Sequence, residues 1–451
     1  MWWNNPPSRV ALAACLAILL QAHCVSAISK LSAVGSKFFN EEGKQFFVKG
    51  IAYQLIPKDP LVDTKQCNLD ASLMKELGAN AIRVYHVDPT KDHEGCMKAF
   101  ADAGIYLFVD LDDFHTQIEP ISPSWNETQF DAFSAILDEF QKFDNTAGVF
   151  VGNEVITKKT VSAAAPYILA AARDMKAYRD SKGYRKIPIG YSAADIAELR
   201  PMLQNYLVCR PEESERLDFF ALNAYEWCGK SSFKESGYAN LQKQAEGYPV
   251  PIFFSETGCN TVRPRDFMDL TAILGPEMRD TWSGAMVYEW IQEMNDYGLI
   301  TYGKGDKSNP EHQDGFVRSG TPTPISPDFP NLKSRFATLS PSGVALSDYS
   351  KDASKTTVPP CPAPTAGGWE IDPSAKLPSI NQVAGTAPKT TEPGDAKPTG
   401  SATSGGAASA SSTVPNSGNQ QISILASAGG KAFFYMATGL LAVGGTMGWA
   451  M

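Results

Sequence analysis

The amino-acid sequence predicts an α/β fold, a (β/α)8 TIM barrel. Residues 28–361 have the composition of one globular domain, and that length is ordinary for such a barrel but long for other single-core folds. Short apolar runs alternate there with longer amphipathic stretches, a pattern that indicates parallel strands separated by helices. The predicted strands are Phe46–Tyr53, Ala81–His86, Ile105–Leu111, Gly148–Val151, Ile187–Tyr191, Phe219–Tyr225, Ile252–Ser255 and Gly284–Trp290.

Helix-like segments lie between these strands, and no internal sequence repeat is visible. A barrel does not require a repeat, because each strand and helix packs against its neighbours whatever their sequence similarity. The predicted helices include Leu69–Leu77, Phe130–Phe143, Pro166–Arg179, Leu199–Leu207 and Arg265–Leu274.

The amino-terminal segment has the layout of a secretory signal peptide. Arg9 precedes an apolar run, Val10–Leu20, and the small residues Val25 and Ala27 follow it. We therefore predict that residues 1–27 are removed by cleavage after Ala27.

The carboxy-terminal segment predicts a stalk and a glycosylphosphatidylinositol (GPI) attachment signal. Residues 362–417 are rich in Ser, Thr, Pro and Gly and are expected to form a disordered, O-glycosylated stalk. Asn416 begins a run of small residues, which a polar spacer separates from the apolar tail Ala432–Met451. Residues 418–451 are then the removed propeptide, with Asn416 or either of the next two residues as the attachment point. A membrane span is the alternative, but no Lys or Arg follows the tail.

Charge and cysteine content narrow the class of protein. A net charge of −9 and a pI near 5.2 argue against a nucleic-acid partner, since phosphate binding needs a basic face. Few histidines and no CxxC pair argue against a zinc site, so neither a metal nor another cofactor is expected. Asn126 lies in an N-x-S/T sequon and is a candidate glycosylation site in a surface loop. Three disulfides are expected from the cysteines left after signal removal, Cys67, Cys96, Cys209, Cys228, Cys259 and Cys361.

Two glutamates follow predicted strands, where barrel enzymes place their catalytic residues. Glu154 ends the fourth strand run and Glu256 ends the seventh. A lone glutamate is usually a solvated surface charge, but two at these positions match the carboxyl pair that glycoside cleavage requires. Asn153 is then expected to hydrogen-bond a sugar 2-hydroxyl, and Arg83 to keep Glu256 ionised.

Aromatic residues also gather at the ends of the predicted strands. Core packing is the ordinary role of strand aromatics, but tyrosine can also stack on sugars and hydrogen-bond their hydroxyls. Their position at strand ends favours sugar binding. These residues are Tyr53 beside Gln54, Tyr85, Tyr225 near Trp227, and Tyr288 near Trp290.

Several sequence strings resemble those of the fungal Gas/Gel glucanosyltransferases, glycoside hydrolase family 72. The resemblance runs from about Ser36 to Cys361. Its members are GPI-anchored retaining enzymes that cut β-1,3-glucan and transfer the new end to another glucan chain. The strings are Gly50–Gln54, Arg83–Tyr85, Val151–Glu154, Leu222–Gly229, Phe253–Asn260 and Val262–Arg265.

The resemblance implies roles for individual residues. It implies Glu154 as the acid/base, Glu256 as the nucleophile, β-1,3-glucan chains as donor and acceptor, and a GPI anchor in the plasma membrane. It implies glucan contacts from Gln54, Tyr85, Asp110, Asn153, Tyr225 and Tyr288. The implied disulfides are Cys67 to Cys96, Cys209 to Cys361 and Cys228 to Cys259.

Two departures from the family pattern limit this transfer of roles. Residues 112–120 replace the loop that usually carries Ser-Ile-Asn-Arg, and Thr257 stands where Tyr is usual beside Glu256. The cysteine-rich carbohydrate-binding module of some members is missing from the sequence. Three function classes stay open: a transglycosylase, a hydrolytic endo-β-1,3-glucanase, and a non-catalytic glucan-binding wall protein.

Overall fold

The computed structural model describes residues 28–56, 59–309, 312, 315–352 and 356–383. Eight parallel strands close into a barrel in which sequence neighbours are also spatial neighbours, and the last strand pairs with the first. This confirms the predicted fold class and all eight predicted strands. The barrel strands, numbered first to eighth below, are Val48–Ala52, Ala81–Val84, Tyr106–Asp110, Thr146–Asn153, Ile189–Ala194, Phe219–Asn223, Ile252–Thr257 and Trp282–Val287.

Helices follow the strands around the outside of the barrel. The first begins at Thr64, five positions before its predicted start, because the Asp63 carboxylate caps it by accepting from the amides of Lys65 and Gln66. The predicted helix 265–274 is shorter, because Phe267 has a left-handed φ of +51° that an α-helix does not allow. The α-helices are Thr64–Leu77, Glu94–Asp102, Glu127–Phe140, Ala165–Ser181, Arg200–Tyr206, Tyr238–Ala245, Asp269–Ile273, Asp328–Thr338 and Leu346–Asp352.

Short antiparallel strands form small sheets separate from the barrel sheet. Leu31–Val34, Lys37–Asn40 and Gln45–Phe46 form a three-stranded sheet. Two further pairs join Ile300–Thr301 to Thr323–Pro324 and Ser124–Trp125 to Gln382–Val383.

A cluster of aromatic rings fills the barrel interior beneath the strand ends that carry the polar residues. Phe38, from the amino-terminal sheet, is fully buried, and its ring centroid lies 6.0 Å from Phe108 and 6.1 Å from Phe219 and Phe253. Phe150 joins the same cluster. Because apolar rings occupy this part of the interior, the polar chemistry is confined to the carboxyl ends of the strands.

The compact domain continues past the predicted boundary at residue 361. Trp369 is fully buried, with its ring 5.3 Å from that of Tyr206, and Ile371 and Leu377 are also buried. These apolar side chains tie the first part of the predicted stalk to the barrel. The remainder of the stalk, the signal peptide, Asn416 and the propeptide lie outside the described residues. Within the described ranges, no helix is both long enough and apolar enough to cross a membrane.

Three disulfides connect elements of the domain, in the pairing that the resemblance implies. Cys67–Cys96 joins the first two helices, with a Cα–Cα distance of 5.2 Å. Cys228–Cys259 links the loops that follow the sixth and seventh barrel strands, and Cys209–Cys361 fastens the carboxy-terminal segment.

A buried histidine makes the stability of the domain depend on pH. His93 is fully buried, with Nε2 2.8 Å from Asp59 Oδ2 and Nδ1 3.1 Å from Glu139 Oε1. Burial disfavours the imidazolium, but the hydrogen bonds and charges of the two carboxylates outweigh it and raise the pKa of His93 above 6.5. This stabilisation is complete below the unfolded pKa and is lost as the pH rises through the folded pKa.

We therefore expect His93→Gln to lower the free energy of unfolding more at pH 5.5 than at pH 8.5. Urea unfolding of both proteins at the two pH values measures the difference. An equal loss at both pH values would show that folding does not shift the pKa of His93.

Candidate active site

Two carboxyl side chains meet at the carboxyl end of the barrel. Glu154 directly follows the fourth strand and adopts a left-handed φ of +51°, a conformation that costs roughly 1–3 kcal/mol and clusters at functional sites. Glu256 lies in the seventh strand and is 4% exposed. Asn223 connects them, because its Nδ2 donates to Glu154 Oε1 at 2.9 Å and its Cα pairs in register with that of Glu256.

Hydrogen-bond donors surround the carboxylate of Glu256. The Tyr85 hydroxyl donates to Oε1 at 2.9 Å, and the Tyr225 hydroxyl donates to Oε2 at 2.7 Å. Arg83 Nη1 lies 3.6 Å from Oε1. Each carboxylate oxygen therefore has its own phenol donor, which holds the group in one orientation.

Arg83 is held mainly by Asp110 and contacts Glu256 only at longer range. Its Nε and Nη2 donate to the two oxygens of Asp110 at 3.0 and 2.7 Å. Nη1 donates to Ser192 Oγ at 3.0 Å, and Nη2 also donates to Asn153 Oδ1 at 3.1 Å. The predicted pairing with Glu256 is thus a secondary contact of a guanidinium whose strongest partner is a bidentate carboxylate.

The electrostatics of the pair distinguish the two glutamates. Burial raises the pKa of both carboxyls, and the neighbouring charge of Glu154 adds to this effect to bring the pKa of Glu256 to about 7. Two close carboxyls titrate as a unit, so the pair holds one proton over an intermediate pH range. Glu256 accepts from two phenols beside Arg83, whereas Glu154 accepts from the Asn223 amide. The donors therefore favour the negative charge on Glu256 and the proton on Glu154.

The other predicted contact residues take different places around this pair. Gln54 Oε1 accepts from the amides of Tyr85 and His86 at 2.9 and 3.1 Å, so it fixes the backbone that carries Tyr85. Asn153 Oδ1 accepts from Arg83 Nη2 and from Asn223 Nδ2, both at 3.1 Å. These two bonds fix the orientation of the Asn153 side-chain amide at the end of the fourth strand. Asp110 is 2% exposed with both oxygens on Arg83, and a direct glucan contact from it stays a prediction.

Three tyrosine rings form an aromatic wall beside Glu256. Tyr297 packs edge-on against Tyr225 at 5.7 Å and against Tyr288 at 5.3 Å between ring centroids. Arg265 fixes the backbone of this wall, because Nη1 donates to the Tyr288 carbonyl at 2.8 Å and Nη2 to the Tyr297 carbonyl at 2.6 Å. Asp328 accepts from Arg265 Nε at 2.7 Å. The site therefore combines two carboxyls with a stiff aromatic surface.

Comparison with known proteins identifies the family. The sequence model of the family described as glucanosyltransferase, glycoside hydrolase family 72, matches residues 20–318. This chain belongs to glycoside hydrolase family 72. A 1,3-beta-glucanosyltransferase of Saccharomyces cerevisiae, GAS2, is 39% identical over 367 residues, which are 77% of this chain and 62% of that protein. The chain thus spans less than two thirds of that relative.

Two other comparisons agree with this family. The gas2 1,3-beta-glucanosyltransferase of Schizosaccharomyces pombe is 39% identical over 360 residues, 76% of this chain and 74% of that protein. A solved structure of a glutamine-for-glutamate variant of S. cerevisiae Gas2p, in complex with laminaritetraose and laminaripentaose, is similar at a TM-score of 0.69 and 39% identity. The matched region covers 78% of this chain and 74% of the chain in that structure.

Thr257, at which we predicted a departure from the family pattern, lies in the protein interior. Thr257 is 1% exposed, and its Oγ1 donates to Asp269 Oδ2 at 2.8 Å while Tyr238 OH lies 3.4 Å away. The Thr257 side chain therefore points into the protein behind Glu256.

Asn126, the predicted glycosylation site, caps the helix Glu127–Phe140. Its Oδ1 accepts from the Gln129 amide, and its Nδ2 lies 3.4 Å from Ser124 Oγ.

Sequence reasoning missed several residues of this site. Asn223 was detectable, because it ends the sixth strand. Tyr297 lies ten positions past the eighth strand, so nothing in the strand pattern marks it. Among the described residues, no group of three or more His, Cys, Asp or Glu side chains is arranged to hold a metal ion.

Proposed function

We propose that this chain is a retaining 1,3-β-glucanosyltransferase that cleaves β-1,3-glucan and joins the released chain to a second glucan. The observation that carries the proposal is the arrangement of the two carboxyls. Glu256 accepts from two phenol hydroxyls, and Glu154 accepts from the side-chain amide of Asn223 in the neighbouring strand. Membership of the family supports the reaction, and the laminari-oligosaccharide complexes of S. cerevisiae Gas2p support the substrate class.

The first step breaks a glucosidic bond with the help of both glutamates. Glu256 attacks the anomeric carbon and forms a glycosyl ester, while Glu154 gives its proton to the departing glucan oxygen. The Tyr85 and Tyr225 hydroxyls hold the attacking carboxylate. Asn153 Oδ1 accepts from Arg83 and Asn223, and Asn153 Nδ2 is proposed to donate to the sugar 2-hydroxyl.

The second step transfers the sugar to an acceptor. Glu154, now ionised, removes the proton from an acceptor hydroxyl, whose oxygen attacks the anomeric carbon and releases Glu256. Two inversions return the β configuration. A separation of about 5 Å between the two carboxyl groups is the geometry that this mechanism predicts.

The proposed setting is the extracellular face of the plasma membrane, with a GPI anchor at Asn416 and glycosylation at Asn126. The signal-like amino terminus and the three disulfides support an oxidising, extracellular compartment. Donor and acceptor are then β-1,3-glucan chains of the cell wall.

Product analysis on a reduced laminari-oligosaccharide tests the proposal. We expect products longer than the substrate, because transfer joins the cleaved glycosyl unit to a second chain. Shorter products alone would identify a hydrolytic endo-β-1,3-glucanase, and an unchanged substrate would identify a glucan-binding protein.

The aromatic wall is expected to affect the ratio of transfer to hydrolysis. An acceptor glucan must outcompete water at about 55 M, so it needs a site that orients it, and orientation of this kind contributes several kcal/mol. Tyr288 has no bond to Glu256, and Tyr288→Ser is expected to lower the ratio of elongated to hydrolysed product several-fold while cleavage persists.

Tyr225→Phe is the matched comparison. Its lost hydroxyl donates to Glu256, so it should slow cleavage and transfer together and leave their ratio unchanged. The ratio is measured at fixed acceptor concentration. If Tyr288→Ser also lowers both reactions in equal proportion, Tyr288 serves the donor side or the fold.

A further inference from the structure

An exposed aromatic ring stands on the loop that departs from the family pattern. Phe114, four residues past the end of the third barrel strand, is 52% exposed. Its ring lies over the imidazole of His86, with 4.3 Å between ring centroids and 46° between planes. One face of this two-ring stack therefore remains open to solvent at the carboxyl end of the barrel.

The loop that carries Phe114 is a fixed turn. The Asp113 carboxylate accepts from the amides of His115 and Thr116 at 2.8 and 2.9 Å and from the Thr116 hydroxyl at 2.9 Å. Gln129 Nε2 donates to the Thr116 carbonyl at 3.2 Å, and Ile118 is buried in the core. The exposed ring is thus held in place before any ligand binds, which lowers the entropy lost on binding.

The Phe114–His86 pair is connected to the candidate active site through Gln54 and Tyr85. Gln54 Oε1 accepts from both the Tyr85 and the His86 amides, so the two residues share one brace. Tyr85 donates to Glu256 with its hydroxyl. His86 therefore lies one residue from a side chain that contacts the reacting carboxylate, on the same end of the barrel.

His86 contributes a neutral ring to the stack. Burial lowers the pKa of His86, although the charges of Asp110 and Asp113 and a hydrogen bond to the Asp112 backbone oppose this effect. A neutral imidazole beneath phenylalanine gives an apolar surface of the kind on which the C–H face of a pyranose ring packs.

We propose that Phe114, supported by His86, binds a glucosyl unit of the β-1,3-glucan chain at a distance from the bond that is cut. This inference rests on the proposed function and adds a subsite built from residues 112–120, the loop in which this chain differs from its family. The platform increases affinity for long chains and leaves short chains that do not reach it unaffected.

Calorimetric titration in a Glu256→Gln background tests this platform, because that variant leaves oligosaccharides uncut. Laminari-oligosaccharides of increasing length are titrated into the parent, Phe114→Ala, Phe114→Trp and Ile121→Ala. Ile121, which directly follows this loop and is 80% exposed, is the control. We expect Phe114→Ala to weaken binding of the long oligosaccharides about tenfold and of the shortest not at all. Phe114→Trp should restore the affinity, and Ile121→Ala should match the parent.

Two results would overturn the proposal. Equal affinity of the parent and Phe114→Ala at every oligosaccharide length would contradict the proposed role of Phe114 but not the proposed binding of glucan. A parent that binds no laminari-oligosaccharide would remove the proposed function with it.

Discussion

Glu256→Gln and Glu154→Gln are each expected to lower kcat/KM for a laminari-oligosaccharide by on the order of 10³-fold or more. Glutamine keeps the size of the side chain, but it cannot attack the anomeric carbon as a carboxylate or give a proton to the leaving oxygen. Both variants should fold normally. Glutamine at position 154 can still accept from Asn223, and in Glu256→Gln the phenol that faces the new NH2 group can rotate its hydroxyl and accept from it. Initial rates of product formation measure the loss. Glu76→Gln, which alters a surface ion pair with Lys333, is the control.

Azide separates the roles of the two glutamates. With small side chains in place of Glu154, azide should attack the glycosyl ester and yield a β-glycosyl azide. With small side chains in place of Glu256, azide should enter from the vacated face and yield an α-glycosyl azide. The opposite pair of products would reverse the proposed assignment.

Arg83→Met is expected to lower the free energy of unfolding by about 3–5 kcal/mol, because it leaves the buried Asp110 carboxylate without its cation. Chemical denaturation measures the change. Arg279→Met removes a weak contact with Asp280, which is 89% exposed, and should change stability by at most about 1 kcal/mol.

A double variant, Arg83→Met with Asp110→Leu, tests the reason for this loss. It should recover part of the stability, since replacing both members of a buried ion pair removes the unpaired charge. If Arg83→Met alone matches Arg279→Met, the Arg83–Asp110 pair contributes little to the fold.

The barrel was predictable because its signal is local. Each parallel strand is buried on both faces and therefore reads as a short apolar run, such as Ile252–Thr257. Boundaries were less predictable, because they depend on contacts outside the segment. Asp63 moves the first helix start through a capping bond, and Trp369 extends the domain through burial against Tyr206.

The carboxyl pair of the candidate site was also predictable, because the ends of parallel strands meet at one end of a barrel. The partners of Arg83 were not. Its position at the second strand end brings both Asp110 and Glu256 within reach, and only the three-dimensional register gives Asp110 the bidentate contact. Tyr297 reaches the site through a long loop that Arg265 fixes, and no sequence spacing reports such a contact.

In the proposed reaction Glu256 forms a covalent bond to the sugar. A fluorinated laminaribiosyl donor with a good leaving group should form the ester and then turn over slowly, because fluorine at carbon 2 destabilises the oxocarbenium-like transition state. Mass spectrometry of the intact protein, followed by peptide mapping, locates the adduct. We expect one glycosyl unit on the peptide that contains Glu256, and none in Glu256→Gln. An adduct on Glu154, or none while the enzyme still processes laminari-oligosaccharides, would contradict the proposed reaction.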